Sequence, residues 1–542
     1  VTSTVIVGGV AGGMSTAARL RRRDEHMEIV VIEASGYVSF ANCGLPYHVS
    51  GVIPERDSLL LQTPESLHER FNLDVRVNHL VTAIDRKAQE VTIRNLLDGS
   101  ESRVHYDNLV LSPGATPIMP PIPGIERALT LRTVEDVDKI LAHLTDDITS
   151  VALIGGGFIG LELAENLHHR GLKVTIIERA EQIMAPLDPE MAAIVTDHLR
   201  SKGLTILTGA DTAQIGDKGL SLASGEIIDA DLVIAAIGVK PESTLAREAG
   251  LAIGERGGIK VDEQQRTSDP AIFALGDAAE KRDAVSGDDV LVPLAQTANR
   301  HGRLVADIIT GRDVHRTATL GTSIVGLFDL AAGSVGWNEK RAALMGQPTR
   351  IIHVHPANHA GYYPGAETIH LKLVVNPETD AILGAQAVGA AGVDKRIDVI
   401  ATAMRGGLTA TDLADLELAY APQFGSAKDP VNFAGFVNDN MVAGERTFQW
   451  NQVDEAINDG WTLVDVRTPA EFAEGTITGA INLPLDDLRE RFGELESKKT
   501  LVFCRVGLRG HVATSLLTHL GIETANLDGG FMTWEYAQKM EG

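Results

Sequence analysis

The chain has 542 residues, 44% hydrophobic and only 4% aromatic, which is enough apolar material for three or four packed domains. Its 48 basic and 73 acidic side chains leave a formal charge of −25, which repels nucleic acid and anionic membrane and confines phosphate-bearing ligands to local basic pockets. The two cysteines, Cys43 and Cys504, give no disulfide framework, and neither a signal peptide nor an apolar run of membrane-spanning length is evident, so a cytoplasmic protein without nucleic-acid or membrane partners is expected.

In chain order, residues 4–7 read as a buried strand running into the turn Gly8-Gly9-Val10-Ala11-Gly12-Gly13 and then a helix rich in Ala and Arg. Glycines there let the backbone turn tightly and approach a pyrophosphate seated on the helix N-terminus. A second strand at 28–32 ends at Glu33, whose carboxylate is placed to accept hydrogen bonds from ribose hydroxyls. Val10 stands where the usual pattern has its middle glycine.

Next comes Cys43, in Ser39-Phe40-Ala41-Asn42-Cys43-Gly44-Leu45-Pro46-Tyr47, with no second cysteine near it. Such a thiol must find its redox partner in something diffusible: a small thiol, a sulfane sulfur or an oxygen atom. A buried structural cysteine is the plainer reading, and the nucleotide fingerprints on either side outweigh it. The second fingerprint follows the strand at 151–154 and is an intact G-x-G-x-x-G, Gly155-Gly156-Gly157-Phe158-Ile159-Gly160. A strand at 174–177 then ends at Glu178, which favours a free ribose 2′-hydroxyl and hence NADH over NADPH, with the adjacent Arg179 working against that preference. Two such units imply two dinucleotides, the arrangement in which a flavin relays hydride equivalents from a nicotinamide.

Together with Leu109-Val110-Leu111-Ser112-Pro113-Gly114-Ala115-Thr116-Pro117 and Thr267-Ser268-Asp269-Pro270-Ala271-Ile272-Phe273-Ala274-Leu275-Gly276-Asp277, these motifs resemble the pyridine nucleotide-disulfide oxidoreductase family. The likeness runs through most of the first 440 residues and is to its single-cysteine branch, the coenzyme A-disulfide and NADH-dependent persulfide reductases. The resemblance implies FAD on Gly8, Ala11, Gly12, Gly13, Glu33, Gly114, Gly276 and Asp277, with Asp277 at the ribityl chain. It likewise implies NADH on Gly155, Gly157, Phe158, Ile159, Gly160 and Glu178. Related NADH oxidases and peroxidases carry a histidine in the first glycine-rich turn; Val10-Ala11 here argues against peroxide as the main substrate.

The run Ala419-Tyr420-Ala421-Pro422-Gln423-Phe424-Gly425-Ser426-Ala427-Lys428-Asp429-Pro430 resembles the dimerisation signature of the same branch. By that resemblance the protein is a homodimer, Tyr420 reaches the cysteine of the partner subunit, and Lys428 helps hold coenzyme A. The resemblance places further coenzyme A contacts at Ser15, Arg19, Arg22, Ser39, Asn42 and Asn299. Arg19 and Arg22 fall one helical turn apart, where their guanidiniums can clasp one phosphate; since Arg21 and Arg23 are basic too, a solvated basic face is the alternative. Tyr362 or Tyr363 supplies another hydroxyl near the thiol, with the choice left open.

Beyond about residue 440 a second resemblance begins, to the rhodanese fold. It is carried by Val464-Asp465-Val466-Arg467-Thr468-Pro469-Ala470-Glu471-Phe472, Gly475-Thr476-Ile477-Thr478-Gly479-Ala480-Ile481-Asn482-Leu483-Pro484 and Leu527-Asp528-Gly529-Gly530-Phe531-Met532-Thr533-Trp534. An apolar strand at 501–503 delivers Cys504 to the loop Cys504-Arg505-Val506-Gly507-Leu508-Arg509, followed by a helix at 511–520. A ring of backbone N–H groups, a helix N-terminus and two arginines suit an anionic persulfide on that cysteine. Four residues separate Cys504 from Arg509, as in sulfur-transferring rhodaneses, whereas phosphatase loops have five.

The expected fold is therefore α/β: two Rossmann-like domains, an α+β dimerisation domain and a C-terminal α/β rhodanese domain. The expected boundaries are 1–112 and 245–325 for FAD, 113–244 for NADH, 326–437 for dimerisation and 446–542 for rhodanese, with a polar linker at 438–445. His353, His355 and His359 lack the spacing of a metal site and are expected to be solvated or core histidines, with no metal. The expected activity is FAD-dependent, NADH-driven reduction of coenzyme A persulfide or polysulfide, with the rhodanese delivering sulfane sulfur. Coenzyme A-disulfide reduction and a non-catalytic redox sensor are the alternatives.

Overall fold

The computed structural model describes residues 2–495 and 499–540, and contacts along the chain divide it into two units, one comprising residues up to Glu181 with Leu204–Gly321 and the other comprising Gln182–Gly203 with Thr322–Gly542. In the first unit, strand Ser3–Val7 pairs in parallel with Glu28–Ile32 and with Asn108–Leu111. Ile272–Ala274 and Asp74–Arg76 complete a five-stranded sheet on either side. Val5, Ile6, Val31, Leu109 and Val110 are buried, as continuous β-branched and leucine runs must be when both faces of a parallel sheet are covered. Helix Ala11–Arg23 follows the first strand and packs against Ala295–Ile309.

The same construction recurs in a four-stranded parallel sheet ordered Thr205–Leu207, Lys173–Ile177, Ser150–Ile154, Leu232–Ala235, with helix Phe158–His169 after its glycine-rich turn. The short antiparallel pair Ala115–Pro117 and Val239–Pro241 lies where the chain enters and leaves this second sheet. Both crossovers put a helix N-terminus at the carboxyl end of a central strand, where such sheets bind ligands.

The second unit holds a five-stranded antiparallel sheet ordered Ser323–Leu327, Leu330–Gly336, Ile382–Gly389, Ile369–Val375, Arg350–Val354. Every residue of Ile369–Val375 and Ile382–Gly389 is buried, so the sheet is covered on both faces. A five-stranded parallel sheet follows, ordered Thr447–Phe448, Thr524–Leu527, Lys499–Phe503, Trp461–Asp465, Ile481–Asn482, which puts the strand before Cys504 at its centre.

Two sequence expectations are corrected. The stretch 438–445 is not a linker throughout, because helix Pro430–Val442 runs through its first half. Asn438, polar enough to read as linker, is buried and spends its polarity inside: its amide donates to Asp380 and Thr411, each at 3.0 Å, and its carbonyl accepts from Arg350 at 2.9 Å. The helix after Cys504 spans Leu508–His519 rather than 511–520, which brings Arg509 into its first turn. Gly510 is helical, and a Cβ there would collide with Asn526.

Candidate functional site

The glycine-rich turns are set by backbone conformation and close approach. Gly8 and Gly155 adopt φ of 100° and 113°, values that L side chains avoid. A Cβ on Gly13 or Gly160 would collide with the carbonyl of Gly8 or Gly155 respectively, so strand and helix close on each other only through glycine. At Gly157, by contrast, an added Cβ meets nothing within 4 Å. That space explains why Val10 is tolerated at the corresponding position of the first turn.

The carboxylate after the second strand repeats as well. Glu33 accepts from the amides of Gly9 at 2.6 Å and Ser35 at 2.9 Å, and Glu178 from those of Gly156 and Ala180, each at 2.8 Å. Burial pushes the Glu33 carboxyl up from its ordinary value against these amide bonds, with Glu135 adding to the rise. Two glycine cradles, each with its acidic strand end, fit two dinucleotides.

Gly114 and Gly276 are left-handed at 75° and 72°. A Cβ on Gly12 would collide with Leu275, the residue before Gly276. Asp277 pairs with Arg132 at 2.6 Å. Lys281, which sequence reasoning missed, is 1% exposed and donates to the carbonyls of Gly276 at 2.5 Å and Ala279 at 2.9 Å; burial lowers its pKa to about 8. It fixes the turn that presents Asp277, and its only sequence signal was a lysine five residues after that glycine.

Cys43 is exposed, in the short turn Asn42–Gly44 ahead of helix Leu45–Ser50. Ser39, at a left-handed φ of 51°, donates its amide to the Gly9 carbonyl at 2.8 Å, which ties the cysteine loop to the first glycine-rich turn. Asn42 donates to the Arg132 carbonyl at 3.0 Å. The surrounding walls exclude enough water to push the Cys43 thiol pKa up; Glu162 and Asp277 push it the same way, and Arg132 opposes them. Glu162, in the first turns of helix Phe158–His169, accepts from the Tyr47 hydroxyl at 3.3 Å and is itself shifted upward by burial. Burial and Glu162 together push Tyr47 up to about 12. No local pattern signals this carboxyl, because only tertiary packing carries helix Phe158–His169 to Cys43.

Of the residues expected at coenzyme A, Ser15 hydrogen-bonds Asn299 across two packed helices. Arg19 is committed to Asp307 at 2.8 Å, a carboxylate it shares with Arg312. Arg22 is exposed, whereas Arg21 is buried and donates to the carbonyls of Glu25, Phe71 and Asn72. The four-arginine run is therefore neither a plain clasp nor a plain solvated face.

In the second unit Tyr420 and Lys428 are exposed. The Tyr362 and Tyr420 hydroxyls are 2.9 Å apart, while Tyr363 packs edge-on against His359. His353, His355 and His359 are all buried. The convergent carboxylates near them, Asp188, Glu190 and Glu339, hold the ammonium of Lys372 at 2.9, 2.5 and 2.8 Å.

Cys504 is buried, 1% exposed. Its carbonyl accepts from Phe531 N–H at 2.8 Å and that of Arg505 accepts from Met532 N–H at 2.9 Å. Gly507, at φ of 94°, turns the loop into its helix. Arg509 grips Glu471 at 2.6 and 2.8 Å, and Glu471 foremost, with Cys504 adding to it, holds its guanidinium above the ordinary arginine value. Arg505 points instead to Glu535 at 2.8 Å and over the Phe531 ring, so of the two arginines Arg509 is the one at the thiol.

Residues 2–302 match the pyridine nucleotide-disulphide oxidoreductase family, 322–430 its dimerisation domain and 449–537 the rhodanese-like domain. A coenzyme A disulfide reductase of Staphylococcus haemolyticus is 35% identical over 434 residues, covering 80% of this chain and 98% of its own. Among solved structures, reduced Bacillus anthracis CoADR-RHD is 47% identical with a TM-score of 0.97, covering 99% of this chain and 98% of its own. An NAD-dependent persulfide reductase from A. fulgidus is 37% identical with a TM-score of 0.92, covering 98% and 100%. With both glycine cradles, the antiparallel domain and the Cys504 loop in place, the chain belongs to the pyridine nucleotide-disulphide oxidoreductase family, an enzyme family whose members use FAD and NAD(H), and carries a rhodanese-like domain at its C-terminal end.

Proposed function

We propose that the protein is an FAD-dependent, NADH-driven reductase of coenzyme A persulfide or polysulfide, supplied with sulfane sulfur by its own rhodanese domain. The observation that carries this reading is the pair of solitary thiols: Cys43 beside a dinucleotide cradle and Cys504 in a loop of amides and arginine, neither with a cysteine mate. FAD would lie on Gly8, Ala11, Gly12, Gly13, Glu33, Gly114, Gly276 and Asp277 in a domain of residues 1–112 and 245–325. NADH would lie on Gly155, Gly157, Phe158, Ile159, Gly160 and Glu178 in residues 113–244.

Cys504 takes up a sulfane sulfur as a persulfide, with Arg509 against the anion, and passes the outer sulfur to the coenzyme A thiol, recovering its own thiolate. The Cys43 thiolate then attacks the inner sulfur of coenzyme A persulfide. The S–S bond breaks, HS⁻ leaves, and a Cys43–S–S–coenzyme A disulfide forms. The two electrons that split it come from NADH by way of FAD, which is the chemistry this pair supplies when bound; one proton completes the two product thiols. Ser15, Ser39, Asn42 and Asn299 would position the coenzyme A, and Arg22 with Lys428 would meet its phosphates. In a homodimer, Tyr420 with Tyr362 would complete the Cys43 site of the partner subunit.

The relatives named coenzyme A disulfide reductase favour a second reading, in which coenzyme A disulfide itself is the substrate. A redox sensor would have no need of the second, intact dinucleotide cradle. Anaerobic NADH oxidation with coenzyme A persulfide, polysulfide and coenzyme A disulfide in turn, with sulfide as the readout, separates these readings. The persulfide reading expects stoichiometric sulfide, and Cys504→Ser should cripple turnover with polysulfide while sparing that with coenzyme A disulfide. Equal loss on both substrates would assign the rhodanese domain a structural role.

A further inference from the structure

His353 is a buried histidine of the second unit, at 2% exposure. It lies on strand Arg350–Val354 of the dimerisation domain. Its Nδ1 is 2.7 Å from Asp528 Oδ2 and its Nε2 is 3.0 Å from Glu190 Oε1. A neutral imidazole has one N–H and one lone pair, so it would turn that lone pair on one of the two carboxylates; both distances are satisfied only by the imidazolium. The backbone N–H of His353 also donates to Asp528 Oδ2, at 2.9 Å.

Asp528 belongs to the rhodanese domain, directly after strand Thr524–Leu527. It opens the turn Asp528-Gly529-Gly530, whose glycines are left-handed at φ of 67° and 63°. Helix Gly530–Gln538 begins there, and its first free amides, Phe531 and Met532, hold the carbonyls of Cys504 and Arg505. There is no slack in this chain of contacts: a Cβ on Gly530 would stand 2.5 Å from the Cys504 carbonyl oxygen, and one on Gly529 would stand 2.8 Å from His353 Cβ.

We propose that His353 is a positioning residue for sulfur transfer: its ring clamps Asp528 against Glu190, so that the turn at 528–530 holds the Cys504 loop in its working conformation. The proposal rests on the reading of Cys504 as the sulfur carrier. The charges facing the ring are Asp528 from the rhodanese turn, Glu190 from helix Pro189–Ser201 and Lys372 from strand Ile369–Val375, with His355 two residues along the chain, just past the end of its own strand. Lys372, held by Asp188, Glu190 and Glu339, opposes a charge on His353. Burial lowers the pKa of His355, which hydrogen-bonds Thr533 at 2.7 Å, well below its ordinary value. Burial also disfavours a charge on His353, but the two carboxylates outweigh it and raise its pKa to about 9. A pKa raised above its unfolded value gives stabilisation that is complete below the unfolded value, about 6.5, and lost as pH rises through the folded one. The clamp should therefore hold at neutral pH and release through about 9.

The test uses the intact FAD-loaded protein, with thiosulfate and polysulfide each as sulfur donor. Persulfide on Cys504 is read by mass, and its transfer to coenzyme A thiol is followed from neutral to strongly alkaline pH. The expected result is a persulfide on wild-type Cys504 whose transfer falls off as pH passes about 9. His353→Gln should transfer about tenfold or more slowly at neutral pH and lack that alkaline break. Asp528→Asn, which keeps the side-chain shape, should behave alike, and the double variant should be no slower than either single one. A wild-type rate and break in both single variants overturns the proposal. Slower transfer with the break intact, or additive losses in the double variant, reduces His353 to a structural residue and also overturns it. No persulfide on wild-type Cys504 with either donor overturns the carrier reading itself and the proposal with it.

Discussion

Cys43 is exposed yet partly desolvated by the walls around it, which makes its thiolate harder to form; the carboxylates Glu162 and Asp277 act the same way, with Arg132 as the opposing charge. A thiol so placed gains its nucleophilic form only where a cation such as Arg132 shifts the balance. Glu162→Gln removes one of the groups raising the Cys43 pKa. In a Cys504→Ser background, where Cys43 is the remaining thiol, its alkylation profile should move to lower pH; an unmoved profile would mean that Glu162 does not act on the thiol. Cys43→Ser itself should abolish NADH-dependent sulfur or disulfide reduction while FAD remains bound, as absorbance of the purified protein will report. Retained turnover would remove Cys43 from the chemistry. The thiol was legible in the sequence as a solitary cysteine between two fingerprints. Glu162, Arg132 and Lys281 were not, since each reaches the site from a segment far along the chain or through a backbone contact that leaves no pattern.

The two glycine-rich turns are the elements on which cofactor assignment depends, and they are separable by substitution. A methyl group on Gly13 would strike the Gly8 carbonyl and one on Gly160 the Gly155 carbonyl, so each change opens one strand-to-helix junction and leaves the other intact. Gly160→Ala should retain FAD but lose rapid reduction by NADH, and Gly13→Ala should lose FAD, with flavin content and anaerobic half-reaction kinetics as the checks. The reverse outcome would exchange the two assignments. Gly530→Ala combines a left-handed φ of 63° with a close approach to the Cys504 carbonyl, and should destabilise the rhodanese domain by about 1–3 kcal/mol, measurable by chemical denaturation. At this scale the sequence was most readable where elements are short and strongly patterned: the strand at Glu28–Ile32 fell where its apolar run ended. It was least readable where polar residues are used internally, as at Asn438, whose burial and three hydrogen bonds turned an expected linker into helix.

For the whole molecule, the proposed homodimer makes a prediction that no single subunit can satisfy. If Tyr420 completes the partner's Cys43 site, mixing Cys43→Ser subunits with Tyr420→Phe subunits, each inactive alone, should restore activity in mixed dimers, because one of the two sites in each is then intact. Failure of rescue after demonstrated subunit exchange would count against a shared site. The exposure of Tyr420, Tyr362 and Phe424, at 48%, 77% and 69%, leaves this aromatic group available to a second copy of the chain.

Sequence alone determined what is encoded locally: the two dinucleotide turns, because a glycine at a left-handed or sterically closed position has no substitute, and the Cys504 loop, because strand, loop and helix follow one another without a break. It also determined that neither thiol has a cysteine near it along the chain, and the structure leaves both free. The tertiary structure decided what depends on segments distant in sequence meeting. It brought Glu162 to Cys43, chose Arg509 over Arg505 for Cys504, and chose Tyr362 over Tyr363 for Tyr420. It also buried His353 between carboxylates of a helix and a rhodanese turn that lie 163 and 175 residues from it. A charged imidazole is stable there only because both carboxylates arrive together, and no local pattern records such a coincidence.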